Sequence, residues 1–234
     1  MSEVKEVVVV GGGIGGLAAA LGLAQIGEQV TVVEQAAEFG EVGAGLQIAP
    51  NGLRALDSLG VLEKVYQKAV FPRRHVFMDA IGGGELTGLV FGEEFTKRYG
   101  YPYIVIHRRD LHDVLLEACR SLDNITFCTN HKLVNIEEYD KHVSLAFENG
   151  AHFKASLVVG ADGIKSRVRK ILIDDEPVVS GYVAYRFTVP MQEMTIDIDW
   201  DEKYTWIGPG IHMVQYPVRS KSLINQVAVF KSYK

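Results

Sequence analysis

Cysteine and excess basic charge are both scarce in this sequence. Only two cysteines, Cys119 and Cys128, occur among its 234 residues, which argues against a disulfide framework. Without a secretory signal, both are predicted to be reduced, buried thiols of a cytoplasmic protein, with a disulfide between them as the open alternative. The formal net charge of −5 gives no overall attraction to nucleic acid, and the basic run over residues 165–170 is interpreted as a solvated helix face.

Long apolar runs and metal-ligand spacings are also lacking. No uninterrupted apolar stretch is long enough to cross a bilayer, because glycines break the first one. No Cys/His cluster indicates zinc, the histidines follow no metal-ligand spacing, and no Ser-His-Asp arrangement is recognisable. The sequence therefore predicts no metal, no membrane span and no nucleic-acid partner, whereas a hydrophobic content of 47% is ordinary for a packed core.

The most informative motif follows an apolar run at residues 7–10, which breaks into a glycine cluster. Three glycines of this cluster satisfy the pattern G-x-G-x-x-G: Gly11, Gly13 and Gly16. Small and apolar residues over 17–26 then predict a helix, and the next apolar run, 30–33, ends in Glu34. The order strand, glycine turn, helix, strand and acid is the dinucleotide-binding fingerprint.

Each residue of the glycine turn has a physical role in this motif. Gly11 allows the tight turn, Gly13 lets the backbone approach a pyrophosphate, and Gly16 lets the helix pack close to the strand. The helix that begins near Ile14 and Gly15 directs its N–H groups and the positive end of its dipole at the phosphates. The alternative is a glycine-rich strand–helix turn without a ligand.

An acidic residue completes the predicted nucleotide site. Glu34 lies 18 residues past Gly16, about where a carboxylate accepts hydrogen bonds from a ribose. Gln35 follows it directly and is included in the predicted site. Dinucleotide binding is therefore the first functional expectation.

Further along the chain, α/β and β-rich segments alternate. Asp110 is predicted to cap a helix over 111–120, and a strand over 152–159 leads through Gly160-Ala161-Asp162-Gly163 into a helix over 164–172. The predicted fold class is α/β, with a discontinuous Rossmann-like nucleotide domain into which a β-sheet-rich second domain is inserted. The nucleotide domain is expected at 1–71 and 101–176, and the second domain at 72–100 and 177–234. Because the last strand runs almost to Lys234 and leaves a sheet edge open, the chain is expected to be a fragment of a longer protein.

Three motifs together carry a family resemblance: the N-terminal fingerprint, the pair His107-Arg108 at the start of a helix, and the segment 160–163. With the stretch EFGEVGAGLQIAPNGLRALDSLGVL (38–62), they resemble the single-component flavin-dependent aromatic hydroxylases, the group A flavoprotein monooxygenases. The resemblance covers essentially the whole chain but only a little over half of the usual family length. The later family motif Gly-Asp-Ala-Ala-His, which completes the flavin site, is absent from the sequence.

The resemblance implies that the dinucleotide is FAD. The three fingerprint glycines would hold its pyrophosphate, and Glu34 its adenosine ribose. Arg108 would reach the ribityl and pyrophosphate region, where a guanidinium fork suits oxygen acceptors. Asp162 would lie near the pyrophosphate or the ribityl chain, and its segment is also linked to contact with NADH or NADPH. Gln47 and Arg54 would lie beside the flavin.

The resemblance also implies a reaction. NAD(P)H reduces FAD, O₂ adds to give a flavin C4a-hydroperoxide, and this hydroxylates a phenolic aromatic acid resembling 3-hydroxybenzoate. The alternatives are a decarboxylating hydroxylase of the salicylate or hydroxynicotinate type, a truncated FAD-binding protein without hydroxylase activity, and a flavin oxidase or reductase. A homodimer is left open.

Two candidate catalytic residues lie in the segment IHMVQYP (211–217). A phenol reacts faster as phenolate, so a base near the substrate hydroxyl is expected. His212 and Tyr216 are four residues apart in a predicted strand and therefore share one face, with Val214 between them. The resemblance makes His212 the base and Tyr216 the residue that orients the substrate. The alternative is a structural histidine beside a core tyrosine.

Overall fold

The structure, a computed structural model, describes residues 4–40 and 43–232, and these form fourteen strands and six α-helices. The strands are, in chain order, β1 (Val4–Val10), β2 (Val30–Val33), β3 (Gly45–Ile48), β4 (Arg74–Asp79), β5 (Glu85–Val90), β6 (Ile104–His107), β7 (Ile125–Cys128), β8 (Leu133–Tyr139), β9 (His142–Phe147), β10 (His152–Gly160), β11 (Tyr182–Pro190), β12 (Lys203–Gly208), β13 (Ile211–Val218) and β14 (Leu223–Lys231). The helices are α1 (Ile14–Gln25), α2 (Pro50–Ser58), α3 (Leu62–Tyr66), α4 (Glu93–Tyr99), α5 (Arg108–Arg120) and α6 (Arg169–Leu172). Residues 41–42, in the stretch predicted to run along a flavin, lie outside the described part.

The chain folds into two compact units. The first contains the described residues of Met1–Glu41 and His112–Val178. Its single sheet has the strand order β7-β2-β1-β10-β9-β8, in which the first four strands are parallel to one another. Strands β9 and β8 continue the sheet antiparallel. The run of valines in β1 and β2 is buried, as expected for central parallel strands covered on both faces.

Helix α1 packs on this sheet through one apolar side. Its buried residues recur at helical spacing: Gly16, Leu17, Ala20, Leu21 and Ala24. Cys119 of α5 is also fully buried, and its thiol donates a hydrogen bond to the Leu17 carbonyl at 3.3 Å. Helix α1 therefore packs against both the sheet and α5.

The second unit contains the described residues of Val42–Leu111 and Val179–Lys234. Its main sheet has the order β11-β14-β13-β12-β4-β5, and a separate two-stranded sheet pairs β3 with β6. All neighbours in the main sheet are antiparallel except β4 and β12. A small core joins the two sheets of this unit: Val70, Val105, Tyr216 and Val218.

The predicted α/β class is confirmed: one unit carries the largely parallel sheet and the other is rich in antiparallel strands. The compact units differ from the predicted domain boundaries because residues 43–71 and 101–111 fall in the sheet-rich unit. The reason is packing, since Val70 and Val105 lie in one cluster with Tyr216. The compact units do not show which residues bind a ligand. The predicted nucleotide domain at 1–71 and 101–176 and the predicted second domain at 72–100 and 177–234 therefore stay predictions.

Two helix boundaries predicted from local sequence are wrong. Asp110 does not cap a helix at 111, because α5 already begins at Arg108. The Asp110 carboxylate instead accepts hydrogen bonds from Arg219, at 2.9 Å from Nη2 and 3.2 Å from Nε. The helix predicted over 164–172 is reduced to α6, because the Asp162 carboxylate holds the preceding residues in a turn.

The two cysteines are both free, as predicted. Cys119 is buried, but Cys128 is only partly buried, which corrects the prediction for that residue. The reason is its position on β7, the edge strand of the parallel sheet. No helix in the described part of the chain is long and apolar enough to cross a membrane.

Candidate active site

The glycine turn after β1 is shaped by very close backbone packing. Gly11 has a positive φ of 111°, and its N–H donates to the Val33 carbonyl at 2.8 Å. A Cβ on Gly11 would collide with the Ala161 carbonyl, and a Cβ on Gly16 would collide with the Gly11 carbonyl oxygen. Glycine at these two positions is therefore required by the protein's own packing.

The beginning of α1 is open for a ligand. Its N-cap residue, Gly13, has no side chain to cap the helix, and the first turn carries no acidic residue. Leu17 donates to the Gly13 carbonyl at 2.9 Å, so the N–H groups before Leu17 have no carbonyl partner within the helix. Gly15 is exposed, and a Cβ there would meet nothing within 4 Å. This uncapped helix N-terminus with open space above it fits a pyrophosphate.

The acid at the end of β2 is tied to the same turn. Glu34 Oε2 accepts the Gly12 N–H at 2.7 Å, and Oε1 accepts the Ala36 N–H at 2.8 Å. Each carboxylate oxygen keeps a second lone pair, so ribose hydroxyls can still donate to it. Gln35 is exposed beside it. Glu34 thus shapes the glycine turn as well as offering the acceptor that a ribose needs.

Asp162 lies next to the turn and organises its own segment. Its carboxylate accepts the Ser166 hydroxyl, the Arg167 N–H at 2.7 Å and the Val168 N–H at 3.3 Å. These bonds close the turn that replaces the first part of the predicted helix. Its contact with FAD or a nicotinamide therefore stays a prediction.

In the second unit, a polar cluster lies between β3, β6 and the main sheet. The Gly45 N–H donates to Asn225 Oδ1 at 2.5 Å, and the Tyr103 hydroxyl donates to Gln47 Oε1 at 2.7 Å. A Cβ on Gly45 would lie 2.5 Å from the Tyr216 ring, so this glycine permits the close approach. Tyr216 is only 1% exposed. The structure therefore brings predicted residues Gln47 and Tyr216 together, with Tyr103 and Asn225 as additional members.

Burial decides what the two tyrosines of this cluster can do. Burial raises the pKa of the Tyr216 hydroxyl above its usual range, aided by Tyr103 and opposed by Arg186 and by hydrogen bonds to Gln47 and Asn225. Burial also raises the pKa of Tyr103 to about 12. Both phenols stay protonated near neutral pH. Neither can serve as a base. Tyr216 keeps a hydroxyl hydrogen that it can donate to a ligand, whereas Tyr103 already donates its hydrogen to Gln47.

His212 lies on the same face of β13 as Tyr216, about 14 Å along the strand at roughly 3.4 Å per residue. Unlike Tyr216, it is exposed. It borders a cavity of about 310 Å³ that is also lined by Tyr182, Thr205 and Ile207. The two predicted residues therefore share a face, with Val214 between them, but they do not touch. That spacing leaves room for a small ring along the strand.

A cation that the sequence did not single out lies on this face. Arg186 of β11 pairs with Val227 of β14, which in turn pairs with Val214 of β13. Because paired residues of an antiparallel ladder point to the same side, Arg186 shares the face of His212 and Tyr216. Arg186 and Arg108 also line one cavity of about 360 Å³ beside residues 43–46. No sequence signal marks Arg186, because its place depends on the pairing of three strands.

The same face carries a buried lysine beside a histidine. Lys203 is 2% exposed, and its Nζ lies 2.8 Å from His75 Nε2, which is also 2.8 Å from the Thr205 hydroxyl. Burial, together with the Lys203 charge, lowers the pKa of His75 to about 4. Burial lowers the pKa of Lys203 to about 8. The pair therefore holds one positive charge near neutral pH.

This pair should make the protein sensitive to acid. The unfolded chain takes up a proton at His75 below about pH 6.5, whereas the folded chain does so only near pH 4, so stability falls as the pH drops through this window. Lys203 is protonated in both the folded and the unfolded chain in this pH window, so it does not contribute to the change of stability with pH. We expect His75→Phe to remove about 1–3 kcal/mol of this acid-dependent loss, measured by urea unfolding at several pH values. An unchanged slope between pH 6.5 and 4 in the variant would contradict the assignment.

A glycine turn, an uncapped helix and a strand-end acid define the first unit as a dinucleotide-binding unit of the α/β class. Residues 4–222 match the family model described as "FAD binding domain", and the chain belongs to that family. The predicted Rossmann-like FAD-binding fold is thereby confirmed. Of the residues assigned to FAD, the first unit gathers the fingerprint glycines, Glu34 and Asp162, whereas Gln47 and Arg108 lie in the second unit.

Named relatives agree with this family. The chain is 41% identical over 226 residues to a 3-hydroxybenzoate 6-hydroxylase from Polaromonas naphthalenivorans, covering 97% of this chain and 56% of the relative. It is 40% identical over 232 residues to a protein of the same name from Klebsiella oxytoca, covering 99% and 58%. The structure of Klebsiella pneumoniae HpxO complexed with FAD and uric acid superposes with a TM-score of 0.83 at 25% identity, covering 97% of this chain and 57% of HpxO. The chain thus spans a little over half the length of these relatives.

Proposed function

We propose that this chain forms the FAD site and part of the substrate site of a monooxygenase that hydroxylates a phenolic aromatic acid, of the 3-hydroxybenzoate type, with NADH or NADPH and O₂. The observation that carries the proposal is the face of β13, where His212, Val214 and Tyr216 follow one another and Arg186 lies in register with them. The names of the relatives at about 40% identity support the same substrate class. The cytoplasmic location and a homodimer stay predictions from the sequence.

The cofactor site is assigned to named residues. The N–H groups of Gly13, Ile14 and Gly15 would meet the FAD pyrophosphate, and Glu34 would accept from the adenosine ribose. Arg108 would reach oxygen atoms of the cofactor from its own cavity. Bound FAD, reduced by NAD(P)H, supplies an electrophilic oxygen from O₂. One oxygen atom replaces a ring hydrogen as hydroxyl, the other leaves as water, and the nicotinamide is oxidised.

The protein's own residues prepare the substrate. His212 takes the proton of the phenol, which raises the electron density of the ring that the oxygen attacks. Tyr216 keeps its own proton and donates a hydrogen bond that orients the ring. Arg186 pairs with the carboxylate, for which a guanidinium fork is well suited. A planar acid lying over Val214 would meet all three groups.

The direct test is NADH and NADPH oxidation by the FAD-loaded chain with a panel of aromatic acids, with product analysis. Faster oxidation together with a hydroxylated acid supports the proposal. Oxidation that yields only hydrogen peroxide would instead assign a flavin oxidase. Release of carbon dioxide would assign the decarboxylating alternative, and FAD binding without any substrate-stimulated oxidation would assign an FAD-binding protein without hydroxylase activity.

The role of Arg186 can be tested with two substrates that differ only in the charge of one group. We expect Arg186→Met to raise the KM for 3-hydroxybenzoate about 10- to 100-fold, because one charge-assisted hydrogen bond is lost. The KM for the neutral 3-hydroxybenzamide should not change. Arg186→Lys, which keeps the charge but loses the fork, should give an intermediate value. An equal increase for acid and amide would show that Arg186 does not recognise the carboxylate.

A further inference from the structure

A buried histidine contacts the glycine turn from a distant part of the sequence. His112 of α5 is completely buried, and its Nε2 lies 2.8 Å from the Gly12 carbonyl oxygen. A carbonyl can only accept, so Nε2 carries the hydrogen and donates it. Within residues 4–40 and 43–232, the second ring nitrogen, Nδ1, makes no hydrogen bond. Among the described residues, the contact with Gly12 is therefore the one hydrogen bond that holds the His112 ring.

Gly12 is held at both of its backbone polar groups. Its N–H donates to Glu34 Oε2 at 2.7 Å, while its carbonyl accepts from His112. The residue is buried, and a Cβ on it would collide with the Phe39 ring. Glu34 thus holds the Gly11–Gly12 peptide through its N–H, and His112 holds the Gly12–Gly13 peptide through its carbonyl. Side chains far apart in sequence therefore fix the two peptides on either side of Gly12.

The hydrogen bond from His112 to the Gly12 carbonyl determines where the Gly13 N–H points. In a planar trans peptide the carbonyl of one residue and the N–H of the next point in opposite directions. Because His112 draws the Gly12 carbonyl inward, the Gly13 N–H must point away from α5. Gly13 is partly exposed, whereas Gly12 is buried. The amide is therefore turned toward the open space at the N-terminus of α1.

We propose that His112 is a positioning residue that aims the Gly13 amide at the FAD pyrophosphate. The inference rests on the FAD site of the proposed function and extends it to a residue outside the fingerprint. His112 does not touch the cofactor. It acts through the Gly12–Gly13 peptide, which would otherwise be free to rotate and lose a donor to the phosphate.

The test compares two side chains of equal length. Gln extends an amide N–H to about the position of the ring Nε2, whereas Met fills similar space without a donor. We expect His112→Met to weaken FAD binding about tenfold, the effect of one lost hydrogen bond, and His112→Gln to stay within threefold of the wild-type chain. Titration with ADP should shift the ¹⁵N resonance of the Gly13 amide in the wild-type and Gln chains and much less in the Met chain.

Cys119→Ala is the matched control. It removes a buried donor on the same helix α5, one that is directed at Leu17 within α1 and not at the glycine turn. We expect lower thermal stability with FAD affinity unchanged within twofold. Should the Met chain not fold, His112→Asn, whose amide ends too early to reach Gly12, replaces it.

The outcomes separate two failures. Equal FAD affinity of the wild-type chain and the donor-free variant, or an equal shift of the Gly13 resonance in both, would overturn the positioning role while leaving the FAD site intact. A folded wild-type chain that binds neither FAD nor ADP would overturn the proposed cofactor site itself, and the inference with it.

Discussion

Replacing Gly15 by alanine should stabilise the ligand-free chain and weaken its binding of FAD at the same time. Alanine is a better helix former than glycine by about 1 kcal/mol, and beyond the adjacent backbone of its own helix the new methyl group would meet no atom within 4 Å. The same methyl group would occupy the space above the first turn of α1, where the pyrophosphate is proposed to lie. We expect the dissociation constant for FAD to rise about 10- to 100-fold, as for the loss of one charge-assisted hydrogen bond. Thermal unfolding and FAD fluorescence titration measure the two effects.

Gly16→Ala is the contrasting variant, because its methyl group would collide with the Gly11 carbonyl oxygen inside the protein. It should destabilise the ligand-free chain by about 1–3 kcal/mol, since α1 must move away from β1. A Gly15→Ala chain that is more stable and binds FAD as tightly as the wild type would place the pyrophosphate elsewhere.

The cofactor turn could be predicted from the sequence because its contacts are local. Gly11, Gly16 and Glu34 lie within 24 consecutive residues. The two glycines shape the turn through backbone geometry that the pattern G-x-G-x-x-G encodes, and Glu34 meets it through its carboxylate at the end of the next strand. Asp162 could be identified as important but not as the residue that shortens the following helix. That result depends on three hydrogen bonds that one carboxylate accepts, which no helix periodicity reveals.

The remaining site residues could not be predicted because tertiary pairing places them. His112 contacts a residue 100 positions away, and Asn225 contacts Gly45 across 180 positions. Arg186 reaches the face of His212 only through the register of β11, β14 and β13. Sequence periodicity gave the face of a single strand correctly, but it carries no information on which strands are neighbours.

Removal of the His212 imidazole should lower the rate of hydroxylation far more than it weakens FAD binding. A phenol with a pKa near 10 is ionised to only about one part in a thousand at pH 7, so an enzyme without its base would depend on that small fraction. We expect His212→Ala to lower kcat for 3-hydroxybenzoate by about 10²–10³, within the usual range for general base catalysis. The affinity for FAD should change less than twofold. Stopped-flow rates of product formation and FAD titrations measure these quantities.

The dependence of the variant on pH separates a base from a structural residue. As the pH rises toward 10, the substrate ionises without help, and the rate of His212→Ala should approach that of the wild-type chain. Met213→Leu is the matched control, because Met213 is the next residue of β13 and its side chain points to the opposite face of the strand. It should keep the wild-type rate and pH profile. A deficit of His212→Ala that stays constant from pH 7 to 10 would mean that His212 shapes the end of β13 without taking the proton, and the base would then have to be sought among other residues that reach the substrate hydroxyl.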